Sequence, residues 1–327
     1  MEKPPSTLAI KKWLKENNPL GLFSKGEFTL TDIDPKQWSG HFNYLVSVRS
    51  KRFVLRFRGP EWGEPNGLID EYRILEAVSP YHVGPKVHYL SNDFFGEPMM
   101  LEEYLAGTPF GNLPKGEQTR LFPVVARFIA RLHTIPDSPA LSPLGRKMTD
   151  YAQHKKTWRK RLHEISLNPR AKKCGQKIET VRPQAEVMLD GFESTLGPIL
   201  RNNKPAFVFE SAHVGHLFKL KHGFRFVNWE RVGRGDPSYT LAVFLASLSD
   251  RPDGDSVKKR MVRAYLKENP VPHFEALLEA RLKKRAVSNL IWVLWNHARS
   301  KDKRPPETAT SIVKRFHSVE TMLAMTI

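Results

Sequence analysis

The stretch Phe42 to Phe57, "FNYLVSVRSKRFVLRF", alternates apolar and polar side chains on both sides of a polar turn at Ser50–Lys51. Period-two alternation marks a strand buried on one face, and two such runs joined by a short turn make an antiparallel hairpin. "FTLTDI" before it and "KVHYL" and "PMMLEEYL" after it extend the strand-forming region from Phe28 to Leu105. One helix, roughly Leu68 to Val78, interrupts that region, and another, "TLAIKKWLKEN", opens the chain behind a Ser6 cap and stops at Asn17–Asn18–Pro19. Past Gly107–Thr108–Pro109 the period becomes helical: Leu121, Val125, Phe128, Ile129 and Leu132 share one face, with Arg127 and Arg131 off it. Further helices are expected over Thr149–Ile165, Thr180–Leu200, Pro237–Leu248, Ser256–Lys267, Phe274–Ala298 and Thr308–Met325. Three short strands, "AFVFE", "HLFKL" and "FRFVNW", fall between the second and third of these. The change of period predicts an α+β, two-lobed architecture: a small β-rich lobe over 1–103 and a larger helical lobe over 104–327.

Composition narrows the function classes. With 40% hydrophobic and 26% charged residues the chain has the make-up of a globular protein. No apolar run approaches the roughly 18 residues of a membrane span, and "MEKPPSTLAIKKWLKENN" has no signal-peptide apolar core. The single cysteine, Cys174, excludes an internal disulfide and a multi-cysteine metal site, so a cytoplasmic location is expected. The net charge of +18 is the outlier, and it is concentrated. His154 to Pro183 holds ten Lys/Arg against Glu164 and Glu179, and Lys258 to Arg304 holds thirteen against four acids. Segments of this kind attract phosphates, nucleic acid or anionic surfaces, and they equally describe solvated helix faces. Trp158, between "HKK" and "RKR", reads as the buried edge of its helix in preference to a platform for a stacked base.

Six segments then stand in a telling order: "SGHFNYLVSV", "RFVLRF", "EYRILEAV", "MMLEEYLAG", "VARFIARLHTIP" and "FVNWERVGRGDPSYTLA". In sequence and spacing, from about Asp32 to Leu245, the chain resembles the aminoglycoside phosphotransferase and choline kinase-like group. The resemblance implies a protein-kinase-like fold, with ATP or another nucleotide held against the first lobe and phosphate passed to a small-molecule hydroxyl. It makes Ser39–Gly40 to Asn43 the loop over the phosphates and sets Arg56 against the α/β-phosphates. Glu71 becomes the helix acid that orients Arg56, and Met100, Glu102 and Tyr104 lie in the connecting strand whose backbone meets adenine. Read without the resemblance, Arg56 and Glu71 are equally well a surface ion pair.

The catalytic half departs from the group's pattern. The group reads His-x-Asp-x-x-x-x-Asn and then Asp-Trp, where the first Asp takes the acceptor's proton and the Asn and second Asp hold magnesium. Here Phe209 stands for the His, Ser211 for the base, His216 for the Asn and Asn228 for the metal Asp, while Thr240 replaces a further acid. His213, Gly215, Trp229, Glu230, Gly235, Asp236 and Pro237 keep the scaffold. A positioned general base contributes roughly 10²–10⁴ in rate, and a serine hydroxyl is a poor substitute at neutral pH. Magnesium prefers carboxylate oxygens, whereas His216 and Asn228 offer an imidazole and a carboxamide, so magnesium is disfavoured. Glu230, two residues beyond Asn228, is the candidate for a rescuing acid.

Three readings follow. The first is a pseudokinase of binding or regulatory role that still holds a nucleotide, inactive or strongly impaired. The second is an active ATP-dependent phosphotransferase that uses displaced acids on a small anionic hydroxyl substrate. The third is a binder of nucleic acid or an anionic surface through 154–183 and 258–304. The basic helices repel a polycation, which argues against an aminoglycoside acceptor.

Overall fold

The computed structural model describes residues 4–24, 26–34, 41–59, 67–138, 141, 146–147, 151–167, 202–248 and 251–299, and single positions 183, 187, 190, 191, 198 and 199. Ser39, Gly40 and Cys174 lie outside the described residues, as do the helix expected over Thr308–Met325 and most of that over Thr180–Leu200. The basic stretches are described over 154–167 and at 183, and over 258–299. The chain divides into two compact units. The first is Met1–Gln118, Ile135–Gly145 and Val214–Val232; the second is Thr119–Thr134, Arg146–His213 and Gly233–Ile327. The α+β class expected from the periodicities is the one observed.

In the first unit, helix α1 (Thr7–Asn17) begins where the Ser6 hydroxyl accepts the Ala9 N–H at 3.1 Å. It ends at Asn18, whose left-handed backbone (φ 42°) directs its N–H to the Leu14 carbonyl. Strands β1 (Phe28–Asp32), β2 (His41–Val48), β3 (Lys51–Arg58), β4 (Val87–Phe94) and β5 (Glu97–Glu103) pair antiparallel in the order β1-β2-β3-β5-β4. Directly paired residues point to the same face of a sheet. Tyr44, Val46, Phe53, Leu55, Phe57 and Leu101 therefore share one face, which packs with Ile10 and Leu14 of α1 into the core of this unit. Register places Asn43 opposite Arg56 and Arg56 opposite Met100, so these residues, with His41 and Glu102 two positions along, belong to the other face. Helix α2 (Gly67–Val78) supplies Glu71 to that side from a stripe that also carries Leu68, Ile74, Leu75 and Val78.

Three short strands complete the first unit: β6 (Thr108–Pro109), β9 (Leu217–Lys219) and β10 (Phe224–Phe226), in the order β10-β9-β6. Gly107 passes so close to the Lys219 carbonyl that a Cβ there would sit 2.5 Å from the oxygen. The hairpin between β9 and β10 turns at Gly223, where φ is +86°. The Phe226 N–H reaches the Val83 carbonyl at 2.8 Å, and the Val227 N–H reaches the His216 carbonyl at 2.9 Å. These bonds fix the segment that carries Asn228 and Glu230.

The second unit is helical apart from a small sheet of β7 (Arg146–Lys147), β11 (Val232–Gly235) and β8 (Ala206–Phe209), in the order β7-β11-β8. Its helices are most of α3 (Lys115–His133), then α4 (Tyr151–Ser166), α5 (Tyr239–Ala246), α6 (Gly254–Glu268) and α7 (Phe274–Arg299). In α5 every residue from Tyr239 to Leu245 is buried, and the helix packs against α7 and β8. Val125, Phe128, Ile129 and Leu132 of α3 are buried as its periodicity predicts. At its end His133 brings Nδ1 to 2.6 Å from the Tyr265 hydroxyl, and Tyr265 stacks on Phe274 with centroids 4.3 Å apart. Trp158 is buried in α4, the edge reading of that residue. Among the described residues no helix is long and apolar enough to cross a membrane.

Candidate functional site

Arg56 leaves the middle of β3 away from the aromatic core and is 4% exposed. Its Nη1 donates to Glu71 Oε1 at 2.7 Å and lies 3.6 Å from Glu102 Oε1. Glu71 also accepts the Trp229 backbone N–H at 2.6 Å, so one carboxylate ties α2 both to the sheet and to the segment after β10. The Trp229 indole N–H is taken by the Phe226 carbonyl at 2.7 Å. The helix acid and strand cation that the resemblance pairs are thus paired in the fold, and as a buried bridge instead of a surface one.

Two residues add to this cluster from outside the expected pair. Glu102 projects from β5 on the same face as Arg56, 4% exposed. Burial, against the pull of Arg56, raises its carboxyl from the ordinary 4.5 to about 7. His41, at the start of β2 and 2% exposed, brings Nδ1 to 2.9 Å from Glu230 Oε1. A carboxylate only accepts, so Nδ1 carries the proton and donates to Glu230. The 3.4 Å approach of Arg56 Nη2 to that same nitrogen is then a contact between two donors. Arg56 Nη2 is 3.8 Å from Glu230 Oε1. Burial would raise the Glu230 carboxyl, but the His41 hydrogen bond and the charges of His41, Arg56 and Arg231 bring it down to about 2. For Arg56 burial works to lower the guanidinium, and Glu71, Glu102 and Glu230 together outweigh it and raise it. Three buried atoms, Arg56 Nε, Glu71 Oε2 and Glu102 Oε2, have no hydrogen-bond partner.

The remaining positions implied by the resemblance fall as follows. Asn43, half-buried on β2, bonds the His41 carbonyl through its own amide at 3.2 Å. Met100 is fully buried opposite Arg56. Tyr104, just past β5, lies under the Arg52 guanidinium, 4.5 Å from ring to Cζ. Asn228 is half-buried with a left-handed backbone, φ 69°, a conformation that Asn and Asp adopt more readily than other side chains. At the position where the resemblance implies a metal-binding Asp, the chain thus has an uncharged side chain that suits the turn. His216 is half-buried and is linked to this turn through the Val227 N–H bond to its carbonyl.

Ser211 belongs to the second unit. It is 9% exposed in a turn closed by the His213 N–H on the Ser211 carbonyl at 2.8 Å. Beside it Glu210 accepts from the Tyr239 hydroxyl at 3.2 Å. Thr240 Oγ1 accepts the Phe209 backbone N–H at 2.9 Å, so the residue that replaces an acid still anchors β8 to α5. Asp236, 3% exposed, accepts from the Ser238 N–H at 2.9 Å, from the Ser238 hydroxyl and from Arg281. Lys284 is buried on α7, and burial first, then the Arg281 charge, lowers its ammonium to about 7. Sequence reasoning passed over Arg281 and Lys284. The available signal was their place in the apolar stripe of α7 with Leu277, Val287 and Leu290, where a basic residue must be buried.

The cofactors the family implies can be tested against these donors. An imidazole N–H and a guanidinium beside one another fit the anionic end of a nucleotide in type. Magnesium fits poorly at the positions the resemblance implies for it: His216 and Asn228 offer an imidazole and a carboxamide, and the nearest carboxylate in sequence, Glu230, is bonded to His41. Among the described residues no group of three His, Cys, Asp or Glu is placed to hold a metal ion.

A sheet with a buried strand-cation/helix-acid pair, followed by a helical unit entered through a turn of kinase-loop spacing, defines a protein-kinase-like phosphotransferase fold. The chain belongs to the phosphotransferase enzyme family, whose sequence pattern matches residues 34–279. A spectinomycin phosphotransferase solved with ADP and spectinomycin is similar at 10% identity and a TM-score of 0.66, covering 99% of each chain. A choline kinase from Cryptosporidium parvum reaches a TM-score of 0.68 at 15% identity, over 97% of this chain and 95% of that one. A choline kinase from Streptococcus pneumoniae gives 0.63 at 15% identity, over 96% and 99%. No curated protein matches the chain in sequence.

Proposed function

We propose that this chain is a phosphotransferase-fold protein that binds a nucleotide through Arg56 and its neighbours and has lost, or nearly lost, phosphoryl transfer. One observation carries the reading: Glu230, the candidate for a rescuing acid, is already engaged, as is Glu210 beside Ser211. Glu230 is held by His41 at 2.9 Å, and Glu210 accepts from Tyr239 at 3.2 Å. The Arg56–Glu71 bridge at 2.7 Å supports retention of the nucleotide half, and a solved relative by fold carries ADP. Arg56 and His41 would hold the phosphates; a bound nucleotide would supply the transferable phosphoryl group.

The test is a thermal shift with ATP in EDTA and in magnesium, beside turnover with candidate hydroxyl acceptors. Equal stabilisation with and without magnesium, and no ATP consumption, is expected. The combined variant Ser211→Asp, His216→Asn and Asn228→Asp is expected to gain magnesium-dependent stabilisation of several degrees. Acceptor-dependent turnover by the unaltered protein would reinstate the active-enzyme reading. A second reading, association with nucleic acid or another anionic surface, is supported by the exposed basic face of α6, where Lys259, Arg263 and Lys267 recur every fourth residue.

A further inference from the structure

The charges around Arg56 do not balance as a structural bridge would. Glu71 at 2.7 Å and Glu102 at 3.6 Å already give one guanidinium two acidic neighbours. A third carboxylate, Glu230, adds repulsion among the acids, yet it sits where two cationic-type donors, His41 Nδ1 and Arg56 Nη2, converge at 2.9 and 3.8 Å. The side chains of those donors are 1% and 5% exposed, whereas the Glu230 side chain is 18% exposed, the most accessible member of the cluster. It also stands on a segment outside any helix or strand, between β10 and β11. A buried donor pair facing an accessible carboxylate on an irregular segment is the geometry of an anion site with its anion supplied from within.

We infer that His41 and Arg56 form an oxyanion-binding site and that Glu230 fills it as an internal ligand, so that the phosphates of a polyphosphate ligand bind there only by displacing the Glu230 carboxylate. A carboxylate and a phosphate oxygen make the same charge-assisted bonds to an imidazole N–H and a guanidinium, so the exchange replaces like with like. Because Glu230 competes intramolecularly, it lowers the apparent affinity by the fraction of time the site stands open. The nucleotide identity of the ligand rests on the proposed function; the anion site does not.

Titration calorimetry in EDTA with inorganic tripolyphosphate and, separately, with ATP tests this on the full chain. The Glu230→Ala variant is expected to bind tripolyphosphate and ATP at least tenfold more tightly than the unaltered protein. Glu230→Gln, of the same shape and still an acceptor for His41, is expected to fall between them and serves if the alanine variant is poorly folded. Adding His41→Ala to Glu230→Ala is expected to remove the gain. A gain for tripolyphosphate without one for ATP keeps the anion site and removes the nucleotide reading. Tight ATP binding by the unaltered protein that Glu230→Ala does not improve overturns the internal ligand and leaves the nucleotide reading standing. No gain for either probe overturns the inference, as does loss in Glu230→Ala of a magnesium-dependent binding present before, which would make Glu230 a metal ligand.

Discussion

At the scale of single residues, the cluster on Arg56 sets two carboxyls apart by environment. Glu102 is raised to about 7, first by burial, and Glu230 is lowered to about 2 by its His41 hydrogen bond and neighbouring cations against the effect of burial. Their linkage to stability has opposite signs. The folded chain holds the Glu102 proton that the unfolded chain releases near 4.5, so this contribution is full below about pH 4.5 and is lost as the pH rises through 7. The Glu230 contribution is present above about pH 4.5 and is lost as the pH falls toward 2. Removing the titration with Glu102→Gln is therefore expected to change stability relative to the unaltered protein most steeply between pH 5 and 7, by up to about 1.4 kcal/mol per pH unit for the one proton involved. The variant gains relative to the parent as the pH rises. Urea unfolding at a series of pH values reads this directly. A difference between the two proteins that stays flat from pH 5 to 8 would mean that Glu102 titrates as an ordinary carboxyl.

At the scale of elements, the sheet register accounts for what the sequence disclosed and what it hid. Alternation in β2 and β3 and the apolar stripe of α2 are local patterns and are enough to place the strands and the helix, whereas the pairing of Arg56 with Glu71 is implied by the resemblance and not by periodicity. Glu102 stands out in the sequence only as part of the connecting strand and His41 only falls within the expected phosphate loop, although register alone puts both on the Arg56 face: Asn43 and Met100 pair with Arg56, and His41 and Glu102 are each two residues from one of them. The contact between His41 and Glu230 spans nearly the whole first unit in sequence and has no local signature. Neither do the two-residue strands β6 and β7, which are set by their pairing with β9 and β11. A single glycine shows how tightly α2 is coupled to the segment after β10. A Cβ on Gly84 would lie 2.7 Å from Leu75 Cδ2, and 2.8 and 2.9 Å from Trp229 Nε1 and Cε2. The indole is rigid and held by the Phe226 carbonyl, so it cannot yield without loosening the Trp229 N–H bond to Glu71. Gly84→Ala is expected to cost about 1–3 kcal/mol by denaturant unfolding, the usual range for overpacking. It is also expected to speed exchange of the Trp229 amide, whereas Gly116→Ala, in α3 with nothing within 4 Å, is expected to leave that exchange unchanged and to cost no stability.

At the scale of the molecule, part of the excess charge lies on one exposed helix face. Of the basic residues on α6, Lys258 pairs with Glu279 at 3.1 Å, while Lys259, Arg263 and Lys267 are exposed and have no acidic partner among the described residues. Side chains four apart lie on one face of a helix, so the three form a single stripe. On α4, Lys160 lies 4.0 Å from Glu164, and such exposed pairs screen charge weakly. A chain of net charge +18 attracts any polyanion at low salt, and a stripe differs from that background in how its binding responds to ions. Each phosphate neutralised releases counterions and contributes about −0.7 to the slope of log affinity against log salt for a single strand. Replacing Lys259, Arg263 and Lys267 by alanine is therefore expected to reduce that slope for single-stranded RNA by about 2, measured by fluorescence anisotropy across a potassium chloride series. The three positions are solvent-exposed, so the stability of the variant is expected to stay within about 0.5 kcal/mol per site of the parent. A slope that does not move when the stripe is neutralised would assign RNA binding to the general charge of the chain, and α6 would then be a solvated face with no partner of its own.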